Sequence, residues 1–441
     1  MADIGAIQAG DAAARGAGGG AGVLYDTFAA IVELTGYDEI REALMSPDLS
    51  RTFDTRGYDE GNIRDGIVSI QHGAVQRARR RVENTQFRPD ILRLYETSLF
   101  PAVLNDLLDL LLVGDVIDLY RVGEMLASVL ACRRAGLDIR ERDLEELAVI
   151  VDFVDIFSQG AAILDAKDPE EIRTRVYDAY VRFERDYVGP ARARRQALLD
   201  DHARGQIGED ALPHDILTAL LRHRADPSLE LADDGRLVRE VATYLQGGTH
   251  TNGQTVVNAI DLLFQAAADD PTIVDRVAED RLFSQRVVHE SLRLRPTTPR
   301  IRRRAITDTT IGGRSIAAES LVILDIVRGN QDPAYFGNDR ERFDPDRTVD
   351  PTVPRWGLSF GAGAHICPGR TVAGGFPVPP EGADDEHLFG LVAAMLQELL
   401  RRGIEPVAGR APERDTRTER FTRWAHYWVR VGSPRAVSPV R

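Results

Sequence analysis

The sequence predicts a mainly α-helical chain carrying small β-sheets. Two observations predict it: long stretches with apolar residues three and four apart, and only a few short strand-like segments bounded by glycine and proline. Ile91 to Leu112, Val122 to Ala135 and Leu144 to Phe157 repeat at helical spacing, and a longer stretch runs from Gly235 to about Ala266. At 441 residues, 43% hydrophobic and 28% charged, the chain has the composition of a globular protein with a sizeable core. No apolar run reaches the length of about 18 residues that a membrane span needs, and the N-terminus shows no secretory pattern. A net charge of −14 argues against nucleic acid as a partner. Two cysteines, Cys132 and Cys367, do not make a disulfide framework and suit a reducing cytoplasm.

Taken in order, residues 1–22 with Gly18-Gly19-Gly20 read as a disordered leader before one domain over 23–441. Tyr37 to Met45 is a short helix, and 51–71, with Gly57, Gly61 and Gly66 among charges, is a loop. A basic helix follows through Gln76, Arg77 and Arg79–Arg81, ending at Phe87-Arg88-Pro89. Cys132 falls inside an amphipathic helix and reads as core. A break from Gly160 to Pro169 precedes a charged helix from Glu170 to about Asp201. Asp233 or Asp234 would cap the long helix, whose middle holds Gly247-Gly248-Thr249-His250-Thr251. Two adjacent glycines cost roughly 1 kcal/mol each in a helix interior, so their presence points to a close approach or a local opening.

Glu290-Ser291-Leu292-Arg293 puts opposite charges on one helical face, ahead of Phe343-Asp344-Pro345-Asp346-Arg347. Thr297 to Ile301 reads as a strand, and Asp308 to Ile316 as a hairpin turning at Gly312-Gly313. After Cys367, Arg370 to Ala373 starts a helix that Gly374-Gly375 and the following prolines must stop. Helical spacing resumes from Glu386 to Arg402, so 374–385 reads as an inserted excursion. Trp424 to Trp428 reads as a hairpin reaching back into the molecule.

The chemistry concentrates in Phe360-Gly361-Ala362-Gly363-Ala364-His365-Ile366-Cys367-Pro368-Gly369. A cysteine between glycines can be wrapped closely by backbone N–H groups, which is what a thiolate ligand to iron requires; a buried structural cysteine is the plainer alternative. The segment resembles the cysteine-ligand loop of the cytochrome P450 family, with Phe360, Gly363, His365, Cys367 and Gly369 in register. The resemblance extends over roughly 23–435 through five signatures in order.

It implies a P450 fold, haem b with Cys367 as axial ligand, and His365, Arg80 and Gln76 toward the haem carboxylates. Gln76 stands where the family usually has histidine, and His72 lies one turn earlier. Arg303 matches a further carboxylate-binding arginine, with Arg302 as its rival. Glu290, Arg293 and Arg347 match the family's structural brace. Gly247, Gly248 and Thr251 match the oxygen groove, where Thr251 donates a hydrogen bond to dioxygen. His250 occupies the position of the usual acid. It either carries protons itself, turns into the helix bundle, or weakens proton delivery in favour of peroxide use or oxidative coupling.

Gly247, Thr298, Arg300 and Trp424 are the expected substrate contacts, and the arginines among the pocket segments favour a polar or carboxylate-bearing substrate. The implied activity is oxidation of a small organic molecule with O2, in bacterial secondary metabolism. Electrons would come from NAD(P)H through a ferredoxin or flavodoxin-type donor to a cytoplasmic monomer. A haem-binding protein without catalysis is the remaining alternative.

Overall fold

The computed structural model describes residues 28–51, 63–163, 166, 168–378, 386–417 and 423–435. The expected leader lies outside these residues, as do 52–62 of the expected loop and 379–385 of the expected insertion.

The chain opens with β1 (Ile31–Leu34), α1 (Tyr37–Met45) and β2 (Leu49–Ser50). Helices α2 (Gly73–Asn84), α3 (Pro89–Leu94) and α4 (Phe100–Leu111) follow, then β3 (Val116–Asp118), α5 (Leu119–Ala135) and α6 (Leu144–Ala161). Next come α7 (Pro169–Phe183), α8 (Gly189–Ala203), α9 (Ile216–Arg222) and the long α10 (Asp234–Ala266). After α11 (Thr272–Glu279) and α12 (Arg281–Leu294) the chain enters β4 (Arg300–Ala305), β5 (Thr309–Ile311), β6 (Arg314–Ile316) and β7 (Leu321–Asp325). Short α13 (Ile326–Gly329) and α14 (Pro333–Phe336) lead to the cysteine loop and α15 (Arg370–Gly374). Helix α16 (Leu391–Arg401) is followed by β8 (Ile404–Pro406), β9 (Glu413–Arg414), β10 (Trp424–His426) and β11 (Trp428–Val431).

Where the sequence reading differs from the structure, proline is the usual reason. The run from Ile91 to Leu112 is two helices joined by a π-turn over Tyr95–Leu99, and the charged helix is α7 and α8 joined by another over Glu184–Val188. Each turn comes just before Pro101 or Pro190, which has no N–H to close onto the carbonyl four residues back. The ladder therefore steps to five: Phe100 N–H bonds the Tyr95 carbonyl and Gly189 N–H that of Glu184. Pro299 likewise delays the expected strand, which starts at Arg300. The glycine hairpin forms as expected, with Gly312 and Gly313 at φ +57° and +75° between β5 and β6.

The main sheet has the order β1-β7-β4-β2, with β1 parallel to β7 and the other pairs antiparallel. A second sheet orders β3-β11-β8. Trp424 to Trp428 is not one hairpin: β10 pairs with β9, whereas β11 joins the second sheet.

Helix α10 crosses the centre. The Asp233 carboxylate caps it by accepting the Gly235 N–H at 2.9 Å. Its second half buries Val256, Val257, Ile260 and Leu263 against α5, α12 and α16, while Leu237, Val241 and Leu245 pack toward α6 and α9. No helix among the described residues is long and apolar enough to cross a membrane.

Candidate functional site

The cysteine loop is held by its own backbone. The Cys367 N–H donates to the Phe360 carbonyl at 2.9 Å, and the Gly369 N–H hydrogen-bonds the thiol sulfur. Gly363 has φ +66°, and a Cβ there would lie 2.8 Å from the Leu44 carbonyl, so glycine lets the loop press against the end of α1. Gly369, by contrast, has an ordinary φ of −79°. Phe360 packs edge-on against Trp356, 5.3 Å between centroids. Cys367 lies deep among protein atoms yet stays partly accessible, as a group lining a cavity does. Burial pushes its thiol up, while the Gly369 N–H and the cations Arg80, Arg370 and Arg51 pull it down.

A group of cations gathers beside this loop. His365 is pushed down to about 3 by burial and by Arg51, Arg303, His72 and Arg80. Arg303 is 2% exposed and donates to the Arg302 carbonyl; among the described residues no carboxylate pairs with it, and burial alone lowers it to about 10. Strand alternation separates the rival arginines: Arg303 shares the buried face of β4 with Ala305, and Arg302 is on the other face. From α2, Gln76 donates to the Ala364 carbonyl at 2.8 Å and Arg80 to that of Ile366, so both latch the helix onto the cysteine loop. Arg300, expected in the pocket, is instead exposed at the start of β4 on the face opposite Arg303, and Thr298 is half-buried in the turn before it.

On α10 the two glycines part company. Gly247 is exposed between fully buried Leu245 and Thr249, and a Cβ added to it would meet nothing within 4 Å. Gly248 does not belong to that opening: its Cβ would lie 2.9 Å from that of Ala131, so it is the close contact between α10 and α5. The Thr251 hydroxyl donates to the Gly247 carbonyl at 2.6 Å and the Asn252 amide to that of Gly248 at 2.7 Å. Side chains thus bond the glycine carbonyls, which loosens a helix locally.

His250 turns into the bundle. Its Nδ1 lies 3.0 Å from Glu124 Oε1 and 3.3 Å from the Tyr120 hydroxyl, both on α5, and Arg423 Nε–H donates to its Nε2. Burial and Arg423 hold the imidazole well below its usual value, and burial pushes Glu124 up to about 7. The sequence reading passed over Glu124, although a lone acid among the apolar positions of α5 was the available signal.

Trp424 is a core residue rather than a pocket one. It is 5% exposed, its indole N–H donates to Asn258 at 3.0 Å, and its ring packs on Tyr427.

Glu290, Arg293 and Arg347 meet in the interior. Arg293 donates to both Glu290 oxygens at 2.8 and 2.7 Å, and Arg347 Nε to Glu290 Oε1 at 3.3 Å. Arg293 also reaches the Asn330 carbonyl, and Asn330 in turn accepts the Leu358 N–H and donates to Ser359. That chain of bonds carries the brace to the strand side of the cysteine loop.

Behind the cysteine, α15 stops at Gly374, where Gln285 and His289 of α12 bond its carbonyl at 2.8 and 2.6 Å. Gly375 and Gly390 then meet backbone to backbone, closing the neck of the excursion. Helix α16 starts at Leu391 rather than Glu386, because Glu96 accepts the Phe389 and Gly390 N–H groups and fixes them outside the helix.

A second buried cluster joins α2 to α10. Arg79 pairs with Glu240 at 3.0 Å, both fully buried, and Tyr244 donates to Glu83 at 2.7 Å. Burial and the neighbouring Glu240 carboxylate raise Glu83 well above its usual range, and Tyr244, Arg80 and Arg79 offset them only in part. A carboxyl raised on folding stabilises at low pH, and that stability is lost as pH rises through the folded-state value. Glu83→Gln is therefore expected to flatten the fall in unfolding temperature between pH 5 and 8, read by calorimetry across that range.

A model of the cytochrome P450 family matches residues 193–374. Cyclooctat-9-en-7-ol 5-monooxygenase of Streptomyces melanosporofaciens is 29% identical over 200 residues, 42% of this chain and 43% of that one. The match thus spans less than half the length of that relative. Among solved structures, CalO2 superposes with a TM-score of 0.70 at 19% identity, covering 91% of this chain and 90% of that one. CxnD, described as a P450 for C–S bond formation in chuangxinmycin biosynthesis, gives 0.66 at 18%, covering 91% and 88%. Residues 193–374 are thus similar to the cytochrome P450 family, whose members hold haem iron, and the chain has the fold of these solved P450 structures.

The residues present fit that group. A buried Arg303 with no carboxylate partner among the described residues, beside His365 and Arg80, is costly to bury alone and suits two incoming carboxylates. Gly247 leaves the room that a Cβ would take from a flat macrocycle.

Proposed function

We propose that this chain is a monooxygenase that oxidises a small organic molecule, and that Cys367 would supply the thiolate that holds haem b. The observation that carries the reading is the cation group around Cys367, in which buried Arg303 has no carboxylate partner among the described residues. Haem, when bound, supplies oxygen activation, with electrons delivered from NAD(P)H by a ferredoxin or flavodoxin-type donor. Cys367 would give its thiolate to the iron, and the Gly369 N–H and the nearby arginines partly offset the burial that pushes the free thiol up. Arg303, Arg80 and His365 would hold the haem carboxylates, with Gln76 tying α2 to the loop. The Thr251 hydroxyl, which donates to the Gly247 carbonyl, would be the side chain able to hold a proton on the cavity side of α10.

The substrate is a small, polar or carboxylate-bearing molecule of secondary metabolism, and the catalytic unit is a single domain over 23–441. Haem titration of the apo-protein tests the reading: the wild type should bind one equivalent, and Arg303→Leu about tenfold to a hundredfold more weakly. No binding to the wild type would refute it. Thr251→Ala should lower product formation with O2 about a hundredfold while oxygen consumption persists, measured by comparing the two rates.

A second reading, peroxide use or oxidative coupling, has one observation in its favour. Position 250 carries an imidazole bound into the bundle instead of an acid. CxnD, whose described reaction forms a C–S bond, has the same overall fold. Turnover with hydrogen peroxide but not with O2 and a reductase would favour it.

A further inference from the structure

We propose that Glu124 of α5 and His250 of α10 act as one proton-holding pair that supplies the Thr251 side of the cavity, the carboxyl coming from a neighbouring helix instead of position 250. The inference rests on the monooxygenase reading. Reduction of O2 to water with insertion of the other oxygen atom consumes two protons along with the two electrons from the donor, and both protons must cross this packed interior.

The tautomer follows from the partners. Arg423 Nε–H can only donate, so His250 Nε2 accepts and the ring's single proton sits on Nδ1, facing Glu124 Oε1 at 3.0 Å. The Tyr120 hydroxyl closes the group, 3.3 Å from the same nitrogen and hydrogen-bonded to Glu124. Glu124 is 6% exposed, and the contact between helices is fixed by Gly253, whose Cβ would strike the Glu124 backbone at 3.0 Å. A buried acid facing a buried neutral base does little for stability, because desolvation offsets their attraction. It does place a carboxyl that gains and loses a proton within hydrogen-bond reach of an imidazole N–H that steadies its charged form.

The charged groups around the pair are few. Arg121 and Tyr120 face it from α5, Asp155 from α6, and Asp415, Arg417 and Arg423 from the segment between β9 and β10. Arg423 and Arg417 both bond Asp155, at 3.3 and 2.7 Å, and Arg417 is half-exposed, so this cluster runs from the imidazole to the surface. Asp155 stays ionised there, held below its usual value by Arg417 and Arg423 although burial opposes it. Glu124, pushed up to about 7, is the member that changes charge near neutral pH. From His250 the Thr251 hydroxyl is the next side chain, about 100° around the helix.

The test separates relay from scaffold by changing the oxidant. Hydrogen peroxide already contains the two protons that O2 reduction needs. Glu124→Gln should lower O2-driven product formation roughly tenfold or more while peroxide-driven turnover falls far less. It should also remove the dependence of the O2-driven rate on pH between 6 and 8. Independently of turnover, infrared spectra of the wild-type protein should show a protonated carboxyl stretch that titrates near neutral pH, absent in Glu124→Gln and shifted in His250→Phe. Equal losses with both oxidants, or a carboxyl band unmoved by either substitution, would overturn the proposal. A wild type inactive with both oxidants would refute the monooxygenase reading, and the infrared titration would then judge the pair by itself. Tyr120→Phe provides a second variant should Glu124→Gln fold poorly, with a smaller loss in the same direction.

Discussion

Arg293→Ala is expected to cost about 3–5 kcal/mol of stability and to abolish stable haem retention. The guanidinium is 0% exposed and its partner Glu290 4%, and the two meet through a bidentate pair of bonds. Truncation leaves a buried carboxylate with only Arg347, at 3.3 Å, and the Asp344 N–H for company. It also frees the Asn330 carbonyl, and Asn330 is what holds Leu358 and Ser359 at the approach to the cysteine loop. Arg293→Lys keeps the charge but not the fork, so an intermediate loss is expected. Denaturant unfolding and haem content of the three proteins provide the check. A stable, fully haem-loaded Arg293→Ala protein would mean that the brace is dispensable.

Cys367→Ala is expected to act in the opposite way, sparing the fold and removing the chemistry. The side chain is small and partly accessible, and the bonds that shape its loop run through backbone: Cys367 N–H to Phe360, Ile366 N–H to Gly363, and the arms of Gln76 and Arg80 to loop carbonyls. Unfolding should therefore shift by about 1 kcal/mol or less, as for a substitution that leaves neighbouring bonds intact. O2-driven turnover should fall to background, because the other cysteine, Cys132, is fully buried in α5, its thiol strongly raised by burial. Unfolding and product formation, measured side by side, check both halves.

Much of this was readable beforehand because it depends on local chemistry. Helical spacing located α5, α6 and α10, the glycine pair located the opening at Gly247, and order along the chain singled out Glu290, Arg293 and Arg347. What escaped depends on which side of an element a residue ends up. Gly248 follows Gly247 by one residue, about 100° around α10, and so meets Ala131 instead of open space. Arg302 and Arg303 are indistinguishable as letters, but β4 buries only the second. Trp424 reads as a pocket aromatic until Asn258 takes its N–H. Glu124 was hidden for the same reason: its partner His250 is 126 residues away, and no periodicity links two helices across that distance.

X-ray absorption at the iron edge of the haem-loaded protein tests the central claim most directly, since it counts the sulfur neighbours of the metal. One sulfur ligand in the wild type, lost in Cys367→Ala, is the predicted result. An iron surrounded only by nitrogen and oxygen in the wild type, or a sulfur that persists without Cys367, would contradict it.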